Sequence, residues 1–252
     1  MTELAYLMPI DAAYERVFQA RIVSLPPGGV VLNRTFFYPT GGGQPCDLGV
    51  LVGADGQART VREVVKSGAS VVHRLGRTNA FQESPWHVGE ELRGEIDWER
   101  RHRHMRAHTA QHLVSAVVFA KTGIRTERAA INDRGAYLDL ERPWTGSADF
   151  VDLARDVEVY LRPARGVEVR EVARSAFDQS PSGRSGLVPL PPLVDPVRVI
   201  LIEGIDTCPC GGTHVRTTGE IGEIHFEPTP PTGNARRVRF TLSGSSPPTP
   251  PA

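Results

Sequence analysis

The most restrictive feature of this chain is a long helical pattern between Asp97 and Gly123. Met105, His108, His112, Ala116 and Phe119, with Leu113, Val117 and Ala120 beside them, recur at three- and four-residue steps, the spacing that builds one buried helical face. Asp97 suits the N-cap and Gly123 the stop. This helix separates two stretches of different character. Ahead of it, short β-prone runs (Val17 to Ser24, Val30 to Asn33, Gly49 to Val52, Thr60 to Val65, Ser70 to Leu75) are broken by Pro26-Pro27-Gly28-Gly29 and Asp55-Gly56. That pattern predicts a small β-barrel domain over residues 1–94. Beyond Gly123 an amphipathic helix fits Asp149 to Leu161. β-like runs follow at Val167 to Val172, Val197 to Ile202, Gly222 to Phe226 and Arg237 to Leu242. The fold class is therefore α+β, with an α+β domain over residues 95–244. The Pro-, Ser- and Gly-rich stretch from Gln179 to Pro196 reads as a surface loop, and residues 245–252 (SSPPTPPA) as a disordered tail.

Composition removes several functions. Lys plus Arg equals Asp plus Glu at 29 each, so no global charge draws the chain to nucleic acid or to a membrane, and any such partner must be met by a local patch. Three cysteines, Cys46, Cys208 and Cys210, are too few for a disulfide scaffold and suit metal ligation or burial in a reducing compartment. The first residues lack the cationic start and apolar core of a secretory signal, and no run of about 18 apolar residues exists to cross a membrane. A soluble cytoplasmic protein is expected.

His108 and His112 lie four residues apart on the predicted helix, one turn apart on one face, where both imidazoles reach a single ion. A second pair, Cys210 and His214 in CPCGGTHV, has the same spacing in a Gly-rich segment able to wrap around that ion. Three imidazoles and a thiolate make a sensible tetrahedral set for Zn²⁺. Pro209 turns Cys208 away from the direction of Cys210, which makes Cys208 a buried thiol beside the site, with replacement of Cys210 as the alternative. Thr109 follows His108 and no glutamate stands between the two histidines, so the site is not that of a zinc protease. A zinc without an adjacent carboxylate base suits a labile carbonyl such as an aminoacyl ester.

Taken together, HTAQH preceded by DWERRHRHMRA, CPCGGTHVRTTGEIG, and YPTGGGQPCDLG resemble the editing domain of alanyl-tRNA synthetase and its free-standing AlaX relatives, in the form with an N-terminal β-barrel domain. The resemblance runs from about Tyr38 to Arg237 and leaves no room for an ATP-binding or anticodon module. It implies a trans-acting deacylase that removes the wrong amino acid from alanine tRNA, with Ser-charged tRNA as substrate and Gly-charged tRNA left open. It carries zinc to His108, His112, Cys210 and His214. It also matches Thr126 to the polar group set against the substrate side chain. The glycines Gly41, Gly42 and Gly43 with Gln44 are either a tight barrel loop or bare backbone approaching the tRNA acceptor end, and the resemblance favours the second. Arg100 and Arg101, in a basic run with Arg103 and Arg106, are candidates for phosphate contact, the alternative being pairing with Glu95, Asp97 or Glu99. Arg236 and Arg237 are the other tRNA candidates, in TGNARRVRF, which lacks the lysine of many relatives. The group that starts the reaction stays open between a metal-bound water and a substrate hydroxyl. Two rival functions remain: a binding module closed by a structural zinc, and an editing hydrolase for another mischarged tRNA, since the editing domain of bacterial-type threonyl-tRNA synthetase shares the HxxxH and CxxxH motifs.

Overall fold

The computed structural model describes residues 1–76, 86–132, 135–143, 150–162, 164–179, 194–227 and 236–244. The predicted tail at 245–252 and most of the predicted surface loop, 180–193, lie outside these residues. The chain packs as two units, residues 1–41 with 45–103, and residues 42–44 with 104–252, so the division falls inside the long helix and not ahead of it.

In the first unit, β1 (Glu3–Leu4) pairs in parallel with β4 (Arg34–Thr35). Six further strands, β2 (Val17–Ser24), β3 (Gly29–Leu32), β5 (Gly49–Val52), β6 (Ala58–Ser67), β7 (Ser70–Leu75) and β8 (Glu91–Ile96), close into a barrel in the order β2-β3-β7-β6-β5-β8. Alternation along β2 buries Phe18, Ala20 and Ile22, and along β8 it buries Leu92 and Ile96 around Gly94. A Cβ on Gly94 would come within 2.5 Å of the Phe18 ring, so this glycine is what lets the ring pack close against β8. On β6 the buried residues are Val61 and Val64, an odd spacing for a strand. A register shift between Val61 and Glu63 accounts for it by turning the face over once.

Arg101 belongs to this unit and corrects one expectation. Its side chain is fully buried, with Nε donating to both Asp47 carboxylate oxygens at 2.9 Å, Nη1 to the Ala13 carbonyl at 2.8 Å, and Nη2 to the Phe36 carbonyl and Asp47. A guanidinium with no exposed surface and its donors already spent on protein cannot meet a tRNA phosphate. Burying it is tolerable because the carboxylate and carbonyls satisfy it. Arg100 is half-buried and donates through Nε to the Cys46 carbonyl at 3.1 Å, while Arg103 is exposed.

The long helix, α1 (Trp98–Thr122), has the boundaries its caps predict. The Arg100 backbone N–H donates to Asp97 Oδ1 at 3.1 Å, and Gly123 ends the helix at φ +65 with its N–H on the Phe119 carbonyl. The structure departs from the expectation of a single buried face: from His104 to Val118 nearly every position is buried, the polar Thr109, Gln111 and Ser115 included. Each of these three has a partner. Gln111 donates to the Ala130 and Tyr137 carbonyls, which ties α1 to the second unit's main sheet. That sheet consists of β9 (Thr126–Asn132), β10 (Gly135–Leu140), β14 (Glu223–Phe226) and β15 (Arg237–Ser243), in the antiparallel order β14-β15-β10-β9. β11 (Val167–Val172), β12 (Val197–Ile202) and β13 (Asp206–Pro209) form a second antiparallel sheet. Two short helices, α2 (Phe150–Leu161) and α3 (Arg174–Gln179), complete the unit, with Leu153, Val157 and Phe177 buried. Among the described residues, no helix is long and apolar enough to cross a membrane.

Candidate metal centre

All four sequence-chosen donors meet in the second unit. One turn of α1 separates His108 from His112, and the segment that follows β13 carries Cys210 directly after the strand and His214 four residues further on. Donor atoms of the four lie within 4.8 Å of one another, a group able to hold a metal ion. Cys210 Sγ stands 3.5 Å from His108 Nε2 and 3.4 Å from His214 Nε2. The imidazoles crowd together, with ring centroids 4.4 Å apart for His108 and His214 and 4.7 Å for His112 and His214. The three histidines are buried and Cys210 is half-buried.

The surroundings fix which nitrogen of the His108 and His214 rings is free. Gln44 Oε1 accepts the Thr213 backbone N–H at 3.2 Å, which orients the amide, and the same oxygen lies 2.8 Å from His108 Nδ1. His108 must then carry its proton on Nδ1 and leave Nε2 as a lone pair toward Cys210. Thr109 repeats this for His214. Its hydroxyl donates to the Met105 carbonyl at 3.0 Å, so its oxygen accepts from His214 Nδ1 at 3.1 Å and from the Val215 N–H at 3.2 Å. On Cys210, Arg198 donates to the carbonyl, and the Gly212 N–H donates to Sγ at 3.3 Å.

Charge follows geometry. Burial alone would raise the Cys210 thiol, but His108 and His214 reverse that and hold it well below its ordinary range, as a ligand thiolate requires. Burial also acts on His112 to lower it, and Asp206 and Cys210 overcome this to hold it at about 9. His214 is lowered, chiefly by burial and by His108. Cys208 is a different case: it is buried, and burial with the nearby Asp206 and Cys210 pushes its thiol up.

Two comparisons with known proteins bear on this arrangement. The family of class II (A) tRNA synthetases matches residues 9–100, and the second additional domain of threonyl and alanyl tRNA synthetases matches residues 197–244, the segment that carries Cys210 and His214. An alanyl-tRNA editing protein AlaX-M from Methanosarcina acetivorans is 32% identical over 246 residues, covering 96% of this chain and 99% of the relative. The chain belongs to the AlaX-M alanyl-tRNA editing protein family. A second AlaX-M protein, from Saccharolobus solfataricus, is 30% identical at 96% and 99% coverage, while an alanine–tRNA ligase from Pyrococcus furiosus is 32% identical over 84% of this chain but only 23% of the ligase.

In this chain the glycine-rich loop makes close protein contacts. Gly41 stays with the first unit, its carbonyl accepting from Tyr38 Oη, whereas Gly42, Gly43 and Gln44 pack with the second. The Gly43 carbonyl accepts the Ile131 N–H at 2.8 Å along the open edge of β9, and a Cβ on Gly43 would fall 2.0 Å from the Ala129 carbonyl oxygen. Gly212 is bare for the same reason, since a Cβ there would lie 2.1 Å from His108 Cε1. Thr126 is buried at the start of β9 with Oγ1 2.7 Å from Ser115 Oγ, one turn along α1 from His112. Arg237 is bound to Asp139 by two hydrogen bonds at 2.5 and 2.7 Å and lies over the Tyr137 ring, and Arg236 is exposed. Arg106 is spent on the Ile221 and Ser243 carbonyls. Sequence reasoning missed Thr109 and Asp206 as supports of the cluster; a threonine directly after the first histidine of HxxxH was the available signal for Thr109.

Proposed function

We propose that this chain is a trans-editing deacylase. It hydrolyses the ester between a mischarged amino acid and the 3′-terminal adenosine of alanine tRNA, with serine as the principal substrate, and it works in the cytoplasm with one zinc ion. The observation that carries the reading is the convergence of His108, His112, Cys210 and His214 in a chain whose full-length relatives bear the name alanyl-tRNA editing protein.

The residues present fit zinc. A tetrahedral ion with bonds of about 2.3 Å to sulfur and 2.0–2.1 Å to nitrogen sets sulfur and nitrogen about 3.5 Å apart, and Cys210 Sγ stands 3.5 and 3.4 Å from the two free imidazole nitrogens. Bound there, zinc would supply Lewis acidity beside the ester carbonyl. The chain's own residues do the rest. Gln44 and Thr109 keep protons on the Nδ1 atoms of His108 and His214, and the buried imidazoles keep bulk water from the donor atoms. Half-buried Cys210 marks the side on which the charged tRNA end enters.

Alanine is smaller than serine, so rejection of the cognate amino acid must be polar. A buried group that bonds the serine hydroxyl is left unpaired when alanine enters, and such sites discriminate by several orders of magnitude. The Thr126 and Ser115 hydroxyls are the candidates. One of them donates to the other, which leaves one proton to offer the substrate. Gly41 and the exposed Arg103 and Arg236 complete the reading as tRNA contacts.

The deciding experiment is deacylation of alanine tRNA charged with Ser, Gly or Ala. Rapid release of serine with alanine spared, and a narrowed Ser-to-Ala ratio in Thr126→Val, supports the reading. No release above the spontaneous rate by zinc-loaded protein overturns it in favour of a binding module.

A further inference from the structure

One carboxylate stands beside the four-donor cluster without belonging to it. Asp206 begins β13, with its side chain only 7% exposed, and its Oδ2 lies 3.6 Å from His112 Nδ1. Burying a carboxylate is costly unless a positive or proton-donating partner answers it. His112 is one such partner, and its Nδ1 is buried with no hydrogen bond of its own. At 3.6 Å the two form an ion-pair contact, and a shift of roughly 0.6 Å completes an ordinary hydrogen bond.

The three imidazoles of the cluster are therefore supported unequally. His108 Nδ1 faces the neutral amide oxygen of Gln44, and His214 Nδ1 faces the neutral hydroxyl of Thr109. Of the three Nδ1 atoms, only that of His112 faces a carboxylate among the described residues. An imidazole that gives one nitrogen to a metal ion becomes a stronger N–H donor at the other, and a carboxylate placed there fixes the ring and raises its basicity as a ligand.

We infer that Asp206 is a positioning residue for His112, holding its proton on Nδ1 so that Nε2 is presented to the metal with added donor strength. This rests on the zinc reading above. The inference separates Asp206 from Cys208, which lies two residues along the same face of β13 and forms with His112 and Asp206 a second group of donor atoms within 4.8 Å. Cys208 is packing beside the pair, and its thiol is not needed for metal.

The test uses the whole chain and measures the zinc dissociation constant by competition with a chromophoric chelator, in wild type, Asp206→Asn, Asp206→Ala and Cys208→Ala. Asp206→Ala is expected to weaken zinc about 10- to 100-fold. Asp206→Asn should weaken it less, because its amide oxygen still accepts the Nδ1 proton, and it serves in place of the alanine variant if that one fails to fold. Cys208→Ala should stay within about twofold of wild type. Nitrogen NMR of the zinc-loaded chains should show the His112 Nδ1–H resonance moving between wild type and Asp206→Asn while those of His108 and His214 stay in place, a selective change that a merely structural carboxylate would not produce. Equal zinc affinity in wild type and Asp206→Ala overturns the proposal. So does binding of two zinc equivalents by wild type with loss of one in Cys208→Ala, which would make the second group a metal site. Absence of any zinc binding by wild type would be the separate failure of the zinc reading, and the proposal would fall with it.

Discussion

Gln44 Oε1 lies 2.8 Å from His108 Nδ1 while the amide nitrogen of the same side chain donates to Thr213 Oγ1 at 2.8 Å. One buried amide thus spans the helix that carries two of the donors and the loop that carries the other two. Gln44→Ala leaves a buried imidazole N–H, a backbone N–H and a hydroxyl without their partner, each worth about 1–3 kcal/mol when unsatisfied. The expected outcome is at least tenfold weaker zinc binding in chelator competition. Gln44→Glu keeps an acceptor for both N–H groups and should retain most of the affinity. Equal loss in both variants would mean that the acceptor is irrelevant.

The glycine run offers a stability test. Gly43→Ala places a methyl group 2.0 Å from the Ala129 carbonyl oxygen, at a φ of +80 that disfavours any side chain, whereas a Cβ on Gly41 meets nothing nearer than 3.8 Å. Gly43→Ala should lower the melting temperature by several degrees or more, corresponding to over about 2 kcal/mol. Gly41→Ala should melt with wild type. If both variants melt with wild type, Gly43 is not held against β9 in solution.

His73 sets an acid limit on the barrel. Its Nδ1 donates to the Val30 carbonyl at 3.1 Å, so Nε2, 2.8 Å from Thr35 Oγ1, accepts the threonine proton and the ring is satisfied only when neutral. Burial pushes it from 6.5 down to about 4, against the opposing pull of the Val30 carbonyl. Above pH 6.5 neither the folded nor the unfolded ring holds a second proton, and the contribution is fully present. As pH falls from 6.5 to 4 the unfolded chain takes up a proton that the folded one refuses, so stability drops by about 3 kcal/mol and then levels off. His73→Gln keeps one donor and one acceptor and does not titrate. Denaturant unfolding of the two chains should agree near pH 7.5 and diverge below 6.5, with wild type losing more. Parallel curves down to pH 4 would contradict the assignment.

Much of this was legible in the sequence where local signals and long-range demands coincide. The Asp97 cap, the Gly123 stop and the His108/His112 spacing all describe one helix, and the helix has those bounds. β11 and β12 were readable because each is rich in valine or isoleucine and begins directly after a breaker, Gly166 and Pro196. β9 and β10 were not. Glu127, Arg128, Ala129 and Ala130 have weak strand preference, and it is pairing with β10 and the Gly43 contact that hold them extended. The fate of Arg101 was hidden because its partner Asp47 is far off in sequence, and only the fold brings a carboxylate to it. Gln44 was visible as chemistry but not as geometry: the sequence offered it to the substrate, and the structure gives its polar atoms to His108 and Thr213.

The most direct test of the account as a whole is to titrate metal-free protein with zinc while following serine release from Ser-charged alanine tRNA. Activity is expected to be negligible without metal, to rise in proportion to added zinc, and to stop rising at one equivalent per chain, with His108→Ala inactive throughout. Full serine release by rigorously metal-free wild type, or by His108→Ala, would contradict it.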